Sequence, residues 1–559
     1  MPGISAALSL GLLLAPPVTQ PPGVPDGADA QVSSPSTARQ CNATLAIDPT
    51  DPLHLLAAAD DYRNADANGQ NVCVYYTSFD GGSTWIENLF PNPDNYFYCE
   101  HARVAFGPNG EPYFLARGAG SIDIITRIYV GTSTDGGVTI QNWRRATVED
   151  KNAGDLDPRL VIDPGPGTYT GSVYVVFTHE GSTTLSSGLA TSHDGGLHWR
   201  RQNFVSDSNY CIGSAPLVGM NGELYIAYYD FNDATIKLAT STDGGATWGV
   251  DVKVCDAAYL MIVPHTVFKT NSYPFLAIDR SAGPYGGTMY VCLATDPGTG
   301  SGADVFVTSS TDGGATWSAL QRVNDDTTAN SQFFPSIEVD SHGRVNVGFY
   351  DRRDDPKNVS PRYYVARSLD GGATWQKNVA AADVSFDPTH YPQGALIGDL
   401  TAVASSDHTL HAMWTDGRNG DDDIYQSTVD LDLFTDVAGI SAATGGTANF
   451  TLDAGPNFQG AGYRVLGSVS GTAPGITLHG VNVPLNYDPF MLLTITAANS
   501  ATFPGFSGAL GSKGDATAAV VTPPIAPALI GLTMDFSFFV KSGGVVAWAS
   551  SPTQLTIVP

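Results

Sequence analysis

Acidic and cationic side chains gather at recurrent places in this 559-residue chain. Asp60, Asp61, Glu180, Asp230, Asp233, Asp296, Asp351, Asp354, Asp355 and Asp416 each follow a short apolar run, whereas Glu100, Asp155, Asp157 and Asp399 each precede one. Among them stand Arg63, Arg117, Arg159, Arg352, Arg353 and Arg418, with His101, His179, Tyr229, Tyr350 and Tyr391. Two carboxyl groups on either side of a glycosidic bond can serve as acid and as base or nucleophile. An arginine offers a planar fork to a carboxylate or to paired hydroxyls. On that chemistry Glu180, Asp230, Tyr350, Asp351 and Asp416 are the catalytic candidates. Asp61, Arg63, Arg117, Arg159, Arg352, Arg353 and Arg418 are the ligand-binding ones. The same residues read equally well as structure. A Tyr-Asp step at a strand end is ordinary turn chemistry, and Asp351-Arg352 with Asp416…Arg418 suits an ion-pair pattern that fixes loops. His408 and His411 lie on or beside one strand with no third ligand, so neither a metal site nor a cofactor is expected.

A repeat must position these groups. Residues 241–248 read Ser-Thr-Asp-Gly-Gly-Ala-Thr-Trp, and near copies stand at 310–317 and 368–375. Looser copies stand at 78–85, 133–140 and 192–199, so Asp80, Asp135, Asp194, Asp243, Asp312 and Asp370 occupy one structural position. Each copy follows a strand-like run. Its Asp accepts backbone amides, and its Gly pair supplies the positive φ of a tight reversal. Its Trp is an apolar plate for packing between sheets. Each reads as the tip of a β-hairpin.

Upstream of each tip lie two further strand patterns, the first at 44–48, 102–106, 159–163, 215–219, 275–279 and 336–340. A seventh unit, from residue 400 to 429, repeats the first three strands without the octapeptide. Seven four-stranded units argue for an all-β, seven-bladed propeller. The segment around residues 31–37 is placed to supply the missing fourth strand of the last unit.

The octapeptide S-x-D-G-G-x-T-W resembles the Asp box, or bacterial neuraminidase repeat, of sialidase-like β-propellers. The resemblance implies that each box joins the third and fourth strands of a blade, as the hairpin reading has it. The candidate acids and arginines then lie on the opposite face, where the inner strands converge. The sequence departs from catalytic sialidases in particulars. The Phe/Tyr-Arg-Ile-Pro motif of their carboxylate-binding arginine triad is missing, its nearest counterpart being Asp157-Pro158-Arg159-Leu160. A Tyr–Glu nucleophile pair would have to come from Tyr350 and Glu180, and those enzymes have six blades. Glycan recognition on the face opposite the boxes is the function implied. An active glycoside hydrolase and a non-catalytic extracellular platform stay open beside it.

Composition frames these readings. A net charge of −28 disfavours nucleic acid and anionic membrane as partners; a glycan or polysaccharide is the ligand that the resemblance implies. No transmembrane segment is read, and no oligomeric state. Residues 1–30 begin with an apolar Ala/Leu-rich run and continue as a Pro/Gly-rich leader, which points to export and to a secreted or cell-surface protein. Six cysteines without C-x-x-C spacing fit disulfides; Cys211 with Cys255, bracketing one blade, is the favoured pair. The propeller is expected over residues 31–435. Past it, charge thins and short apolar runs alternate with Gly, Ala, Thr and Pro, which indicates a small β-sandwich-like domain over residues 436–559.

Overall fold

The computed structural model describes residues 29–34, 39–62, 72–91, 98–119, 126–147, 154–202, 204–260, 269–298, 302–388, 397–406, 409–429, 432–435, 437 and 439–559. Among these, seven four-stranded antiparallel sheets follow one another around a ring, each packing its first strand against the next sheet. The first strands line the axis. They are Gln40–Asp48, Tyr98–Phe106, Gly154–Ile162, Cys211–Val218, Phe275–Ile278, Gln332–Val339 and Ala402–Ser405. The seventh sheet takes its outer strand from the other end of the chain, Ala30 pairing with Gln426 and Gln31 with Tyr425. Strands that face a neighbouring sheet on both sides are apolar up to their last residues. Val173–Glu180 and Leu224–Asp230 are buried along almost their whole length.

The repeated turns share one hydrogen-bond pattern. At Asp243 the carboxylate accepts Ser241 Oγ at 2.8 Å, Thr247 N at 2.8 Å and Thr247 Oγ1 at 2.6 Å. Gly244 and Gly245 hold φ of 69° and 83°, values an L side chain resists. Trp248 packs against sheet three, and its indole Nε1 donates to Gln202 Oε1 at 3.2 Å. Each turn therefore closes its own hairpin and also keys one sheet to the next.

After the propeller, Leu433–Thr435, Gly446–Asp453 and Asp515–Thr522 form one sheet. A larger sheet is centred on Thr533–Ser542. Phe450, Phe506, Phe536, Phe538 and Leu555 form the core between them. This part sits on sheet six, on the face that bears the repeated turns. Lys513 reaches Asp370 at 2.8 Å, Asn457 donates to Ser341 O at 3.0 Å, and His342 lies against Phe458 and Trp548. Beneath them runs a buried ionic network. Arg344 contacts Asp340 and reaches Asp432 at 2.6 Å, while Arg367 reaches Asp453 at 3.3 Å.

The cysteines correct one expectation. Cys73 of sheet one and Cys99 of sheet two form a disulfide with Cα atoms 5.4 Å apart, whereas Cys211 and Cys255 are free thiols. Cys211 lies on the first strand of sheet four and Cys255 on the fourth. Neighbouring strands stand about 5 Å apart, so two intervening strands carry the pair well beyond the ~7 Å a disulfide spans. Bracketing a blade is what keeps them apart. No helix among the described residues is long and apolar enough to cross a membrane.

Candidate functional site

Five of the seven innermost strands begin with the same irregularity. Their pairing with the second strand slips between Cys41 and Thr44, Glu100 and Arg103, Leu156 and Arg159, Ile212 and Ala215, and Phe333 and Ser336. Within each slip one residue has positive φ: Asn42, His101, Asp157, Gly213 and Phe334. Such a bulge re-aims a side chain. Tyr273 and Asp399 occupy the corresponding place in sheets five and seven, two residues before Phe275 and Thr401. These seven residues ring the mouth of the channel on the face opposite the repeated turns.

Contacts across that mouth show the convergence. Tyr273 OH of sheet five donates to Asp157 Oδ2 of sheet three at 3.2 Å. His101 Nε2 stands 3.5 Å from the other oxygen of the same carboxylate. Asn271 Nδ2 reaches Asp399 Oδ1 at 3.3 Å, and Asn42 Nδ2 donates to Asp60 Oδ2 at 2.7 Å. Gly398 allows Asn42 its place, because a Cβ there would stand 2.6 Å from the Asn42 amide.

Two residues further in, Thr44, Arg103, Arg159, Ala215, Phe275, Ser336 and Thr401 line a cavity of about 310 Å³, within the lower range of small-ligand sites. Only Arg103 and Arg159, on adjacent sheets, are charged in this layer. They are 7% and 8% exposed. Arg103 Nη1 donates to Ala102 O and Arg159 Nη1 to Pro274 O, both at 2.8 Å. The Arg159 guanidinium also lies 4.4 Å over the Phe275 ring. Arg103 Nε and Arg159 Nη2 find no acceptor among the described residues. Buried cationic N–H groups without acceptors are costly, and an anion placed between them would satisfy both.

The electrostatics agree. Burial, with Arg103 alongside, pushes the Arg159 guanidinium down to about 10. Burial raises Asp399 to about 7, aided by the Asp157 charge, and raises Asp60 to about 6. Burial drives His101 down to about 3, so its imidazole is neutral. The mouth thus sets two buried guanidinium groups near the carboxyls of Asp60, Asp157 and Asp399, of which Asp399 is poised to gain or lose a proton at neutral pH.

The residues singled out from sequence fall into distinct places. Arg159 lines the channel. Arg117 pairs with Glu100 at 2.8 Å and donates to Asp155 O. Asp230 accepts Lys237 Nζ at 2.7 Å and Ser208 Oγ at 2.8 Å. Asp351 binds Arg353 at 2.7 Å, and Asp416 binds Arg418 at 2.6 Å; each pair lies within one loop. Arg353 also contacts Asp325, and Arg418 reaches Asp29 at 2.6 Å. Tyr350 is buried and donates to Thr415 O at 2.6 Å. Arg352 is buried against Phe333 and donates to Asn358 O. Asp61 is buried beside Gln40. Glu180 is exposed at the end of a second strand, away from the axis. Arg63 and Tyr391 lie outside the described residues.

Sequence reasoning noted Asp157, Asp399, Asp60 and His101 as approaches to the channel but passed over Arg103, Tyr273, Asn271 and Asn42. A signal was present. The triplets Asn42-Ala-Thr, His101-Ala-Arg, Asp157-Pro-Arg, Gly213-Ser-Ala, Tyr273-Pro-Phe, Phe334-Pro-Ser and Asp399-Leu-Thr share an offset, and their outer members are the two channel layers. Among the described residues no three His, Cys, Asp or Glu side chains gather as they would around a metal ion.

No protein-family model matches the chain. It is 25% identical over 306 residues to Xyloglucanase Xgh74A of Acetivibrio thermocellus, which covers 49% of this chain and 32% of that protein. The chain thus spans about a third of the length of that relative. Among solved structures it is similar to the Hadza microbial sialidase Hz136, at 16% identity over 66% of this chain and 75% of that one, with a TM-score of 0.39. It is also similar to the Penicillium chrysogenum alpha-L-arabinanase complexed with arabinobiose, at 13% identity over 74% and 99%, with a TM-score of 0.40. The architecture is that of a β-propeller.

Proposed function

We propose that this protein recognises an acidic glycan at the channel mouth opposite the repeated turns. The observation that carries the reading is the Arg103–Arg159 pair, buried side by side with N–H groups that lack acceptors. A sugar carboxylate fits such a fork, and the polar ring of Asn42, Asp60, His101, Asp157, Tyr273 and Asp399 offers donors and acceptors for its hydroxyls. Export to the cell exterior is part of the proposal, supported by the Cys73–Cys99 disulfide. The test is calorimetric titration of the full chain with acidic and neutral oligosaccharides. Saturable, salt-sensitive binding of the acidic ones is expected; no binding of any acidic sugar sinks the reading.

Hydrolysis is a second reading with its own observation. Asp399, raised to about 7 with Asp157 nearby, is poised to give up a proton near neutral pH as a general acid does. Release of reducing ends from a bound oligosaccharide, lost in Asp399→Asn, would establish it. Binding without turnover would leave recognition alone.

A further inference from the structure

We propose that the ligand is a glycan chain rather than a single sugar, and that its flanking residues lie on an aromatic shelf over sheet four. The inference rests on the channel-mouth reading and extends it outward.

The shelf starts at the mouth. Tyr273 covers Gly213, where a Cβ would collide with its ring, so the glycine is what lets the tyrosine lie flat over sheet four. Tyr259 stands close enough to Tyr273 for each to influence the other's ionisation. The Tyr259 ring centroid is 4.9 Å from Tyr229 and 5.0 Å from Phe231. Phe231 in turn lies 4.9 Å from Tyr210. Burial falls along the row. Tyr273 is buried, Tyr259 and Phe231 are half-buried, and Tyr210 is 48% exposed.

Topology puts the row on one face. Tyr210 precedes the first strand of sheet four, Phe231 follows the second, and Tyr259 follows the fourth. All three positions lie at the end opposite the repeated turns. The shelf is also held in place: Phe231 N donates to Tyr210 O at 3.0 Å, and Tyr229 OH to Ala257 O at 3.1 Å.

An aromatic row that continues a polar pocket and ends in an exposed ring marks a ligand groove more than a random surface. Flat rings accept the C–H faces of sugar rings. The exposed amides and carboxylate of Asn209, Asn232 and Asp233 flank them with partners for hydroxyls. A chain anchored by one carboxylate between Arg103 and Arg159 would run past Tyr273 onto this row.

The experiment is a length series. The full chain is titrated with uronic-acid monomers, trimers and hexamers of the polyuronate that it binds. The hexamer is expected to bind about tenfold tighter than the monomer. Tyr210→Ala should erase most of that gain and leave monomer affinity unchanged, while Tyr210→Phe should retain it. Tyr210 is 48% exposed and, among the described residues, its ring meets no aromatic ring but Phe231, so the variant tests the surface and not the fold. Equal affinity for monomer and hexamer, or a gain indifferent to Tyr210→Ala, overturns the shelf and leaves the channel reading standing. Failure of every uronate, monomer included, overturns both. Protein association through Tyr210, in place of sugar binding, also overturns the shelf.

Discussion

Replacing Arg159 with methionine should make the protein more stable and less able to bind its sugar. The guanidinium is 8% exposed and has one hydrogen bond, to Pro274 O. Burial, and then the Arg103 charge, pushes its pKa down to about 10. That depression corresponds to roughly 3 kcal/mol of unfavourable free energy in the charged folded state at neutral pH. Arg159→Met removes the charge and keeps an apolar stem over Phe275. It also strands the Pro274 carbonyl, at a cost of about 1 kcal/mol. The net expectation is a gain of about 1–2 kcal/mol and a rise of a degree or two in melting temperature. The same change deletes a charge-assisted bond to the sugar carboxylate, worth roughly 1.5–3 kcal/mol, so affinity should drop about 10- to 100-fold. Scanning calorimetry and titration calorimetry on one preparation read both effects. A variant that melts earlier and binds the uronate as before would show Arg159 to be scaffold, and the argument from its unpaired N–H groups would fail.

Binding should also weaken with alkali. Asp60 is raised to about 6 and Asp399 to about 7, so negative charge joins the mouth as pH rises from roughly 5 to 8, and affinity for an anion falls over that window. Asp399→Asn should remove the upper part of that fall, above about pH 6; an unchanged profile would dismiss Asp399. The same raised pKa has a stability consequence. The folded state holds the proton more tightly than the unfolded chain between about 3.8 and 7, so this group's contribution is full at the acid end and is lost as pH rises through that range. On the other face, Asp243→Ala and Asp370→Ala should both lower the melting temperature and leave sugar affinity untouched. Asp370→Ala should do so by more, because Asp370 also holds Lys513 of the C-terminal part at 2.8 Å. Equal losses would mean that the docking contact carries no stability.

The ring of sheets was legible because its units repeat, and repetition survives local variation. Even the seventh unit showed through, since residues 400–429 keep the apolar spacing while lacking the octapeptide. The site was harder to read because its repetition is one of geometry and not of chemistry. The channel-mouth position is filled by Asn, His, Asp, Gly, Tyr, Phe and Asp in turn, so no single residue type marks it. The apolar pattern also begins just past each bulge, at Thr44, Ala102, Arg159, Ala215 and Ser336, whereas the strands start upstream at Gln40, Tyr98, Gly154, Cys211 and Gln332. The residues aimed at the axis thus fell in what sequence alone presents as loop.

The conspicuous Asp-Arg loops illustrate the opposite hazard. Asp351 with Arg353 and Asp416 with Arg418 satisfy one another two residues apart, and a charge already paired has little left to offer a ligand. Arg103 and Arg159 differ because their near neighbours supply carbonyls and aromatic faces instead of a bidentate carboxylate. Arg344 and Arg367, equally buried, are matched across the domain contact by Asp432 and Asp453. Cations buried at the domain contact are therefore neutralised by the fold itself. Among the described residues those buried in the channel form no such ion pair, and that difference, more than the number of acids on a face, is what supports the proposed site.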